Sequence, residues 1–167
     1  MHSAVGLIPT RFNSRRLPGK SLKLIGDLPM IIHTYQRAKI AKSLDEVYIC
    51  CDTQEVFEVA KSFKANVILT SKNHKQGGDR IYEAYKKLQK KFDQIIDIQG
   101  DEPLIDPVNI DHVVKFHRKN KEYDIILPNL PTKFSRDPNL VRLIFNRFKE
   151  VLYLTRSDTP YHFVSKT

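Results

Sequence analysis

The sequence has 167 residues, which is enough for one domain with a substantial hydrophobic core. Hydrophobic residues at 41% and charged residues at 28% are typical of a soluble globular protein, and no apolar run approaches the ~20 residues of a membrane helix. The net charge of +9 indicates an anionic partner or substrate, and nucleic acid, an acidic lipid surface and a nucleotide all fit that sign.

Apolar runs alternate with amphipathic stretches over the first ~125 residues, as strands alternate with helices in α/β proteins. The pattern predicts strands over 4–8, 46–51, 67–69, 94–99 and 124–127. It predicts helices between them, over 29–42, 54–63, 79–90 and 108–120. Asp52 and Thr53 are the N-cap candidates of the second helix.

The alternation ends near residue 128, where a proline-rich loop begins. Two further strands are predicted over 140–145 and 151–155, joined by a short turn. The predicted fold class is therefore α/β, a doubly wound and mostly parallel sheet with an antiparallel strand pair near the C-terminus. Residues 1–167 are expected to form a single domain.

The two cysteines are adjacent, Cys50 and Cys51, and neighbouring side chains in a strand face opposite ways. They cannot easily bridge each other, so the sequence suits a reducing compartment. The N-terminal apolar run is too short for a signal peptide. These features predict a cytoplasmic protein.

A cationic loop follows the first strand, and it is defined here as residues 8–20, with sequence IPTRFNSRRLPGK. It carries Arg11, Arg15, Arg16 and Lys20 together with small hydroxyl side chains and a Pro-Gly turn. A strand that leads into such a loop is suited to binding phosphates through backbone N–H groups and cations. The alternative is a solvated basic surface loop.

Two other loops follow strands and are expected at the same edge of the sheet, because ligands of doubly wound folds bind beyond the carboxyl ends of the strands. The 70–80 loop contains Gly77 and Gly78, which allow close backbone approach to a ligand, although it could also be a flexible connector. The 99–103 loop carries Asp101, which is either a turn residue or, opposite the cations, a ligand for a divalent metal.

Together the three loops predict a site for a nucleoside triphosphate with Mg²⁺, where a P–O bond forms and breaks. The motifs GxxxxGK[ST] and GxGxxG are absent, which argues against a P-loop NTPase and a classical dinucleotide fold. Nucleic-acid binding is disfavoured because the cations lie in the loop and at predicted helix ends, and no DNA- or RNA-binding motif occurs.

Four segments resemble the 3-deoxy-manno-octulosonate (Kdo) cytidylyltransferase family, also called CMP-Kdo synthetases. Residues 8–22, IPTRFNSRRLPGKSL, resemble the family's IPARxxSxRLPGKxL, and residues 70–80, TSKNHKQGGDR, resemble its TSxxHxSGTDR. Residues 99–105, QGDEPLI, match its QGDEPLI, and residues 152–161, LYLTRSDTPY, are similar to part of its ALYFSRxxIPY. Order and spacing agree along the whole chain.

The resemblance implies a Rossmann-like nucleotidyltransferase that joins CTP and Kdo to give CMP-Kdo and pyrophosphate with Mg²⁺, a step in lipopolysaccharide biosynthesis. Arg11, Lys20 and Asp101 would be the catalytic residues, and Asp101 would hold the metal. The implied nucleotide-binding residues are Pro9, Thr10, Arg11, Ser14, Arg16, Lys20, Ser71, His74, Gly77, Arg80 and Gln99. Arg156 and Tyr161 would lie toward the sugar, and a homodimer is compatible with the resemblance.

Two departures from the family stand out. Gln76 and Gly78 replace a Ser and a Thr of the family motif, which bears on the preference for base or sugar. Family members are also longer, and their further part would supply a second metal-binding Asp and much of the dimer contact, so the chain is read as a fragment or a shortened relative. The alternatives are a nucleotide-binding or assembly module without turnover, and a cytidylyltransferase for a related acidic or amino sugar. No membrane partner is predicted.

Overall fold

The computed structural model of the protein describes residues 2–13, 17–131, 137 and 139–157. Within them the chain divides into two compact units, residues 1–126 and 127–167. The prediction of a single domain over 1–167 stays a prediction.

Over its described residues, the first unit contains a parallel sheet, a small hairpin and four helices. The strands are β1 (Ala4–Pro9), β2 (Leu24–Ile25), β3 (Leu28–Pro29), β4 (Glu46–Cys51), β5 (Val67–Leu69) and β6 (Gln94–Asp97). The helices are α1 (Met30–Lys39), α2 (Gln54–Ser62), α3 (Gly77–Lys87) and α4 (Pro107–Lys119), and a 3₁₀ turn spans Lys20–Leu22.

Strand β1 lies in the middle of the four-stranded sheet, whose order is β5-β4-β1-β6. All of its pairings are parallel: β1 pairs with β4 and with β6, and β4 pairs with β5. Successive strands proceed to one side of β1 as far as β5, and β6 then returns to the other side. This reversal creates a topological switch point between β1 and β6, where doubly wound sheets bind ligands.

Side chains of the sheet alternate between two hydrophobic clusters. Ala4 and Ile8 of β1 join the larger cluster, which includes apolar residues of α1, α2 and α4. Val5 and Leu7 join the smaller cluster, to which α3 contributes. Because β1 is buried on both faces, its sequence is continuously apolar rather than alternating.

The second unit contains an antiparallel pair, β7 (Arg142–Phe145) and β8 (Val151–Thr155), with an irregularity between Ile144 and Phe145. The predicted α/β class, the mostly parallel sheet and this strand pair are therefore confirmed.

Two element predictions were wrong. The described residues form no strand over 124–127, because this short apolar run has no neighbouring strand to pair with and leaves Ile125 exposed. The β2–β3 hairpin was missed within a predicted loop. Its turn uses Gly26 at φ 59°, a conformation that glycine adopts without steric cost.

None of the helices in the described ranges is long and apolar enough to span a membrane.

Candidate nucleotide site

Three loops of the first unit meet around Pro9 at the carboxyl end of β1. A Cβ atom placed on Gly100, just after β6, would lie 2.8 Å from the carbonyl oxygen of Pro9. A Cβ atom placed on Gly77, the first residue of α3, would lie 3.6 Å from the Pro9 ring. The structure therefore brings the cationic loop, the 70–80 loop and the 99–103 loop together, as the sequence predicted.

An ion pair crosses the switch point. The Nζ atom of Lys20 lies 2.7 Å from Oδ2 of Asp101, and the two side chains keep exposed fractions of 37% and 54%. A cation from the loop after β1 thus meets a carboxylate from the loop after β6. Both groups remain accessible to a ligand, which a buried structural pair would not be.

The cationic loop closes on itself through Phe12. The N–H of Gly19 donates to the Phe12 carbonyl at 3.0 Å, and Gly19 adopts φ 66°, so a glycine suits this turn. Arg11 is exposed, whereas Thr10 is buried and its N–H donates to the Cys50 carbonyl at 2.8 Å. Ser14 and Arg16, two predicted nucleotide-binding residues, lie outside the described residues.

Arg80 is almost completely buried, with 3% of its surface exposed. Its Nη1 atom donates to Thr70 Oγ1 at 2.6 Å and to the Ser71 carbonyl at 3.2 Å, and its Nη2 atom donates to Asp52 Oδ2 at 3.4 Å. The guanidinium group is thus engaged by protein atoms below the rim of the site. Direct contact between Arg80 and a nucleotide stays a prediction.

Asp52 has a role that the sequence did not reveal. Thr53 alone caps α2, since its Oγ1 atom accepts from Val56 N at 3.4 Å, and the side chain of Asp52 turns toward the cationic loop instead. Its Oδ1 atom accepts from Phe12 N at 3.0 Å. The available signal was its place directly after β4, at the same edge of the sheet as Asp101.

Glu83 of α3 fastens the 70–80 loop. Its Oε2 atom accepts from Ser71 N at 3.0 Å and contacts His74 Nε2, and its Oε1 atom lies 2.7 Å from Lys87 Nζ. The bond from Lys87, followed by those from Ser71 and His74, lowers the pKa of the Glu83 carboxyl from 4.5 to about 2. Sequence reasoning missed Glu83, although it lies three residues after Arg80 and therefore on a neighbouring part of the helix surface.

Three predicted site residues remain, namely Gln99, Arg156 and Tyr161. Gln99 is exposed after β6 and its Nε2 atom donates to Asp97 Oδ1 at 3.2 Å. Arg156 belongs to the second unit, where its Nη1 atom donates to the Asn139 carbonyl at 2.7 Å. Tyr161 lies outside the described residues.

Among the described residues near the switch point, the side chains do not form a metal site from protein atoms alone. Over the described ranges, no group of three or more His, Cys, Asp or Glu side chains could hold a metal ion. Asp101 offers one carboxylate at this edge of the sheet. One or two carboxylates completed by substrate phosphates and water are common for Mg²⁺, so this donor set fits a metal that arrives with a triphosphate.

Comparison with known proteins finds close relatives over almost the whole chain. The chain is 38% identical over 160 residues to the mitochondrial 3-deoxy-manno-octulosonate cytidylyltransferase of Arabidopsis thaliana, covering 95% of this chain and 55% of that protein. It is 37% identical over 160 residues to the 8-amino-3,8-dideoxy-manno-octulosonate cytidylyltransferase of Shewanella frigidimarina, covering 93% of this chain and 65% of the relative. The chain thus spans between half and two thirds of the length of these relatives.

A solved structure of CMP:2-keto-3-deoxy-manno-octonic acid synthetase in complex with CTP has the same fold. It superposes with a TM-score of 0.81 at 33% sequence identity, over 95% of this chain and 66% of that one. The family model described as cytidylyltransferase matches residues 5–166. The resemblance seen in the four sequence segments is confirmed by these matches, and the chain belongs to the cytidylyltransferase family.

Proposed function

We propose that this chain transfers CMP from CTP to an acidic eight-carbon sugar. The observation that carries the proposal is the Lys20–Asp101 pair across the switch point, at 2.7 Å and open to solvent. Its support comes from a 33% identical structure that contains CTP and from relatives named for Kdo and its 8-amino analogue.

The phosphates of CTP would bind to the cationic loop. Arg11, Arg16 and Lys20 would neutralise the charge, and the hydroxyl of Ser14 in the same loop would donate a hydrogen bond. A ligand in this place would lie beyond the carboxyl ends of β1 and β6. Pro9, Thr10 and Gly77 would form the floor of the site mainly through their backbone. Ser71, His74 and Gln99 would line the nucleotide pocket, with Arg80 beneath it.

Asp101 would hold a divalent metal, for which we propose Mg²⁺. When bound, the metal would neutralise the negative charge of the triphosphate oxygens. Lys20 and Asp101 neutralise each other in their ion pair. Binding of a metal–triphosphate complex would replace this single pair by two, with the ammonium group on a phosphate and the carboxylate on the metal.

The proposed reaction is an in-line displacement at the α-phosphorus. A hydroxyl oxygen of the sugar forms the new P–O bond, the bond between the α-phosphorus and the bridging oxygen breaks, pyrophosphate leaves, and the hydroxyl proton passes to water. The side chains contribute by orienting the reactants and neutralising charge. Arg156 and Tyr161 are proposed for the sugar carboxylate side, and a homodimer stays part of the proposal.

The identity of the sugar has a second candidate. The relatives include cytidylyltransferases named for the 8-amino sugar as well as for Kdo, at nearly equal identity. An assay in which the chain is offered each sugar separately, with CTP and Mg²⁺, would rank the two sugars by the rate of pyrophosphate release.

The test of the proposal is pyrophosphate release from CTP, sugar and Mg²⁺, together with calorimetry of CTP binding. Asp101→Asn is expected to lower the turnover by at least about 100-fold while leaving the fold intact, because the side chain is half exposed. Lys20→Met should weaken CTP binding, and Lys23→Met, which removes the same charge from an exposed position nearby, is the matched control.

The outcomes separate the alternatives. CTP binding without pyrophosphate release indicates a binding module rather than an enzyme. Equal effects of Lys20→Met and Lys23→Met indicate that the loop attracts anions only through its overall charge. Absence of CTP binding refutes the proposal as a whole.

A further inference from the structure

A chain of buried and partly buried hydrogen bonds joins two loops that are far apart in the sequence. It starts at the backbone N–H of Phe12 in the cationic loop, which donates to Asp52 Oδ1 at 3.0 Å. It continues from Asp52 Oδ2 to Arg80 Nη2 at 3.4 Å, and from Arg80 Nη1 to the Ser71 carbonyl at 3.2 Å. The loop after β1 is thus tied to the loop after β5 through two charged side chains.

The two ends of this chain of bonds adjoin the candidate ligand contacts. Phe12 also accepts from Gly19 N, and Gly19 immediately precedes Lys20. Ser71 donates its N–H to Glu83, which contacts His74. A shift at Asp52 would therefore reach Lys20 on one side and His74 on the other through covalent neighbours and single hydrogen bonds.

Stability alone does not account for this buried pair. Asp52 and Arg80 are 8% and 3% exposed, and removing two charges from water costs free energy that an apolar pair of similar volume would not. The helix does not need Asp52 either, because Thr53 caps α2. What a pair of apolar side chains could not do is accept the Phe12 N–H and fix the Ser71 carbonyl at the same time.

We propose that Asp52 is a positioning residue, which acts through Arg80 to hold the cationic loop and the 70–80 loop in one arrangement. All the bonds of this arrangement join protein atoms to one another. Its consequence for CTP rests on the function proposed above: where Phe12 and Ser71 are held by protein contacts, binding of CTP spends less free energy on fixing their positions. Neither Asp52 nor Arg80 needs to touch the nucleotide for this role.

The first test measures the coupling without ligand, by hydrogen–deuterium exchange of the free chain. Asp52→Asn and Arg80→Met are each expected to speed exchange about tenfold or more both at Phe12 and over residues 71–74. The matched control is Asp111→Asn, which removes another buried carboxylate that accepts a backbone N–H, from Ser43 at 2.7 Å before β4 and therefore at the opposite edge of the sheet. It should speed exchange near Ser43 and not in the two loops.

The second test separates positioning from folding, and it uses the double variant Asp52→Asn with Arg80→Met. Removing both charges avoids leaving one of them buried and unpaired, so the double variant should melt closer to the wild type than either single variant. Its CTP affinity should nevertheless stay at least about tenfold weaker, since the link to the Ser71 carbonyl is gone. The rise in the dissociation constant for CTP should exceed any rise in KM for the sugar.

Several results would overturn the proposal. One is faster exchange confined to the loop that contacts the substituted side chain, with Phe12 unaffected by Arg80→Met. Another is a folded double variant that binds CTP as tightly as the wild type. If the wild type binds no CTP at all, the proposed function fails, and the exchange pattern alone still decides whether Asp52 couples the loops.

Discussion

The carboxyl group of Glu83 offers a quantitative test of how the 70–80 loop is held. Glu83→Gln keeps the size of the side chain and removes its charge. The substitution weakens the contacts with Lys87 and His74 and leaves one oxygen that can still accept the Ser71 N–H. We therefore expect a loss of stability that depends on charge rather than on packing.

The pKa of Glu83 sets an upper limit on the effect. A folded-state pKa of about 2 in place of 4.5 would correspond to about 3 kcal/mol if the interactions were fully realised in the free energy of unfolding. The side chain is 23% exposed, so water and salt screen part of the attraction. A loss of about 1.5 kcal/mol for Glu83→Gln at neutral pH is the resulting expectation.

The pH dependence carries the sign of the effect. Because folding lowers the pKa of Glu83, its contribution is complete above pH 4.5 and is lost as the pH falls toward 2. Urea denaturation of the wild type and of Glu83→Gln at several pH values measures the difference in unfolding free energy. This difference should shrink to less than half of its neutral value by about pH 3.

A suitable control is Glu58→Gln on the exposed surface of α2, which should change the stability by no more than about 0.5 kcal/mol. A difference between wild type and Glu83→Gln that stays constant from pH 7 to pH 3 would refute the role assigned to the charge. Equal unfolding free energies of the wild type and Glu83→Gln at pH 7 would refute the role of Glu83 in holding the 70–80 loop.

Three further predictions concern the framework of the site. Gly100→Ala should lower the free energy of unfolding by about 1–3 kcal/mol and weaken CTP binding, because the new methyl group would lie 2.8 Å from the Pro9 carbonyl oxygen. Denaturation and calorimetry measure the two effects, and a variant as stable as the wild type would contradict this close approach. Burial raises the pKa of the Cys50 thiol to about 12 and that of Cys51 to about 11, so neither should react with a thiol reagent at pH 8 until the chain is unfolded, and reaction of the native chain at the rate of a free thiol would show this to be wrong. Thr53→Ala removes the cap of α2 and should lower the free energy of unfolding, measured by denaturation, by about 1 kcal/mol. Thr53→Ser keeps the acceptor oxygen and should recover most of that loss.

The general position of the site could be predicted from the sequence, because it depends on the order of the strands. Once β1 and β6 were identified as parallel strands, their following loops had to share an edge, and this placed Lys20 near Asp101. The apolar runs of β1 and β4 are long enough to identify these two strands without ambiguity. In the fifth predicted strand the same kind of run misled, since a strand also requires a partner that the sequence pattern does not name.

The interior of the site could not be predicted, for a different reason. An arginine is normally exposed, so nothing in the local pattern around Arg80 indicated a buried side chain. Asp52 fitted the preference of aspartate for helix N-caps, and the adjacent Thr53 satisfied that preference instead. Long-range pairings such as Phe12 with Asp52 join residues far apart in the chain, and only the fold brings them together.

The central position of β1 has a consequence for how such a site tolerates change over evolution. Slipping β1 by one residue would move its end by about 3.3 Å and send Val5 and Leu7 into the cluster now occupied by Ala4 and Ile8. The slip would therefore disrupt the packing of both hydrophobic clusters, one on each side of the strand. Substitutions, insertions and deletions in the surrounding loops leave this constraint untouched, so a lineage could alter what the rim recognises while the spacing between its loops is inherited unchanged.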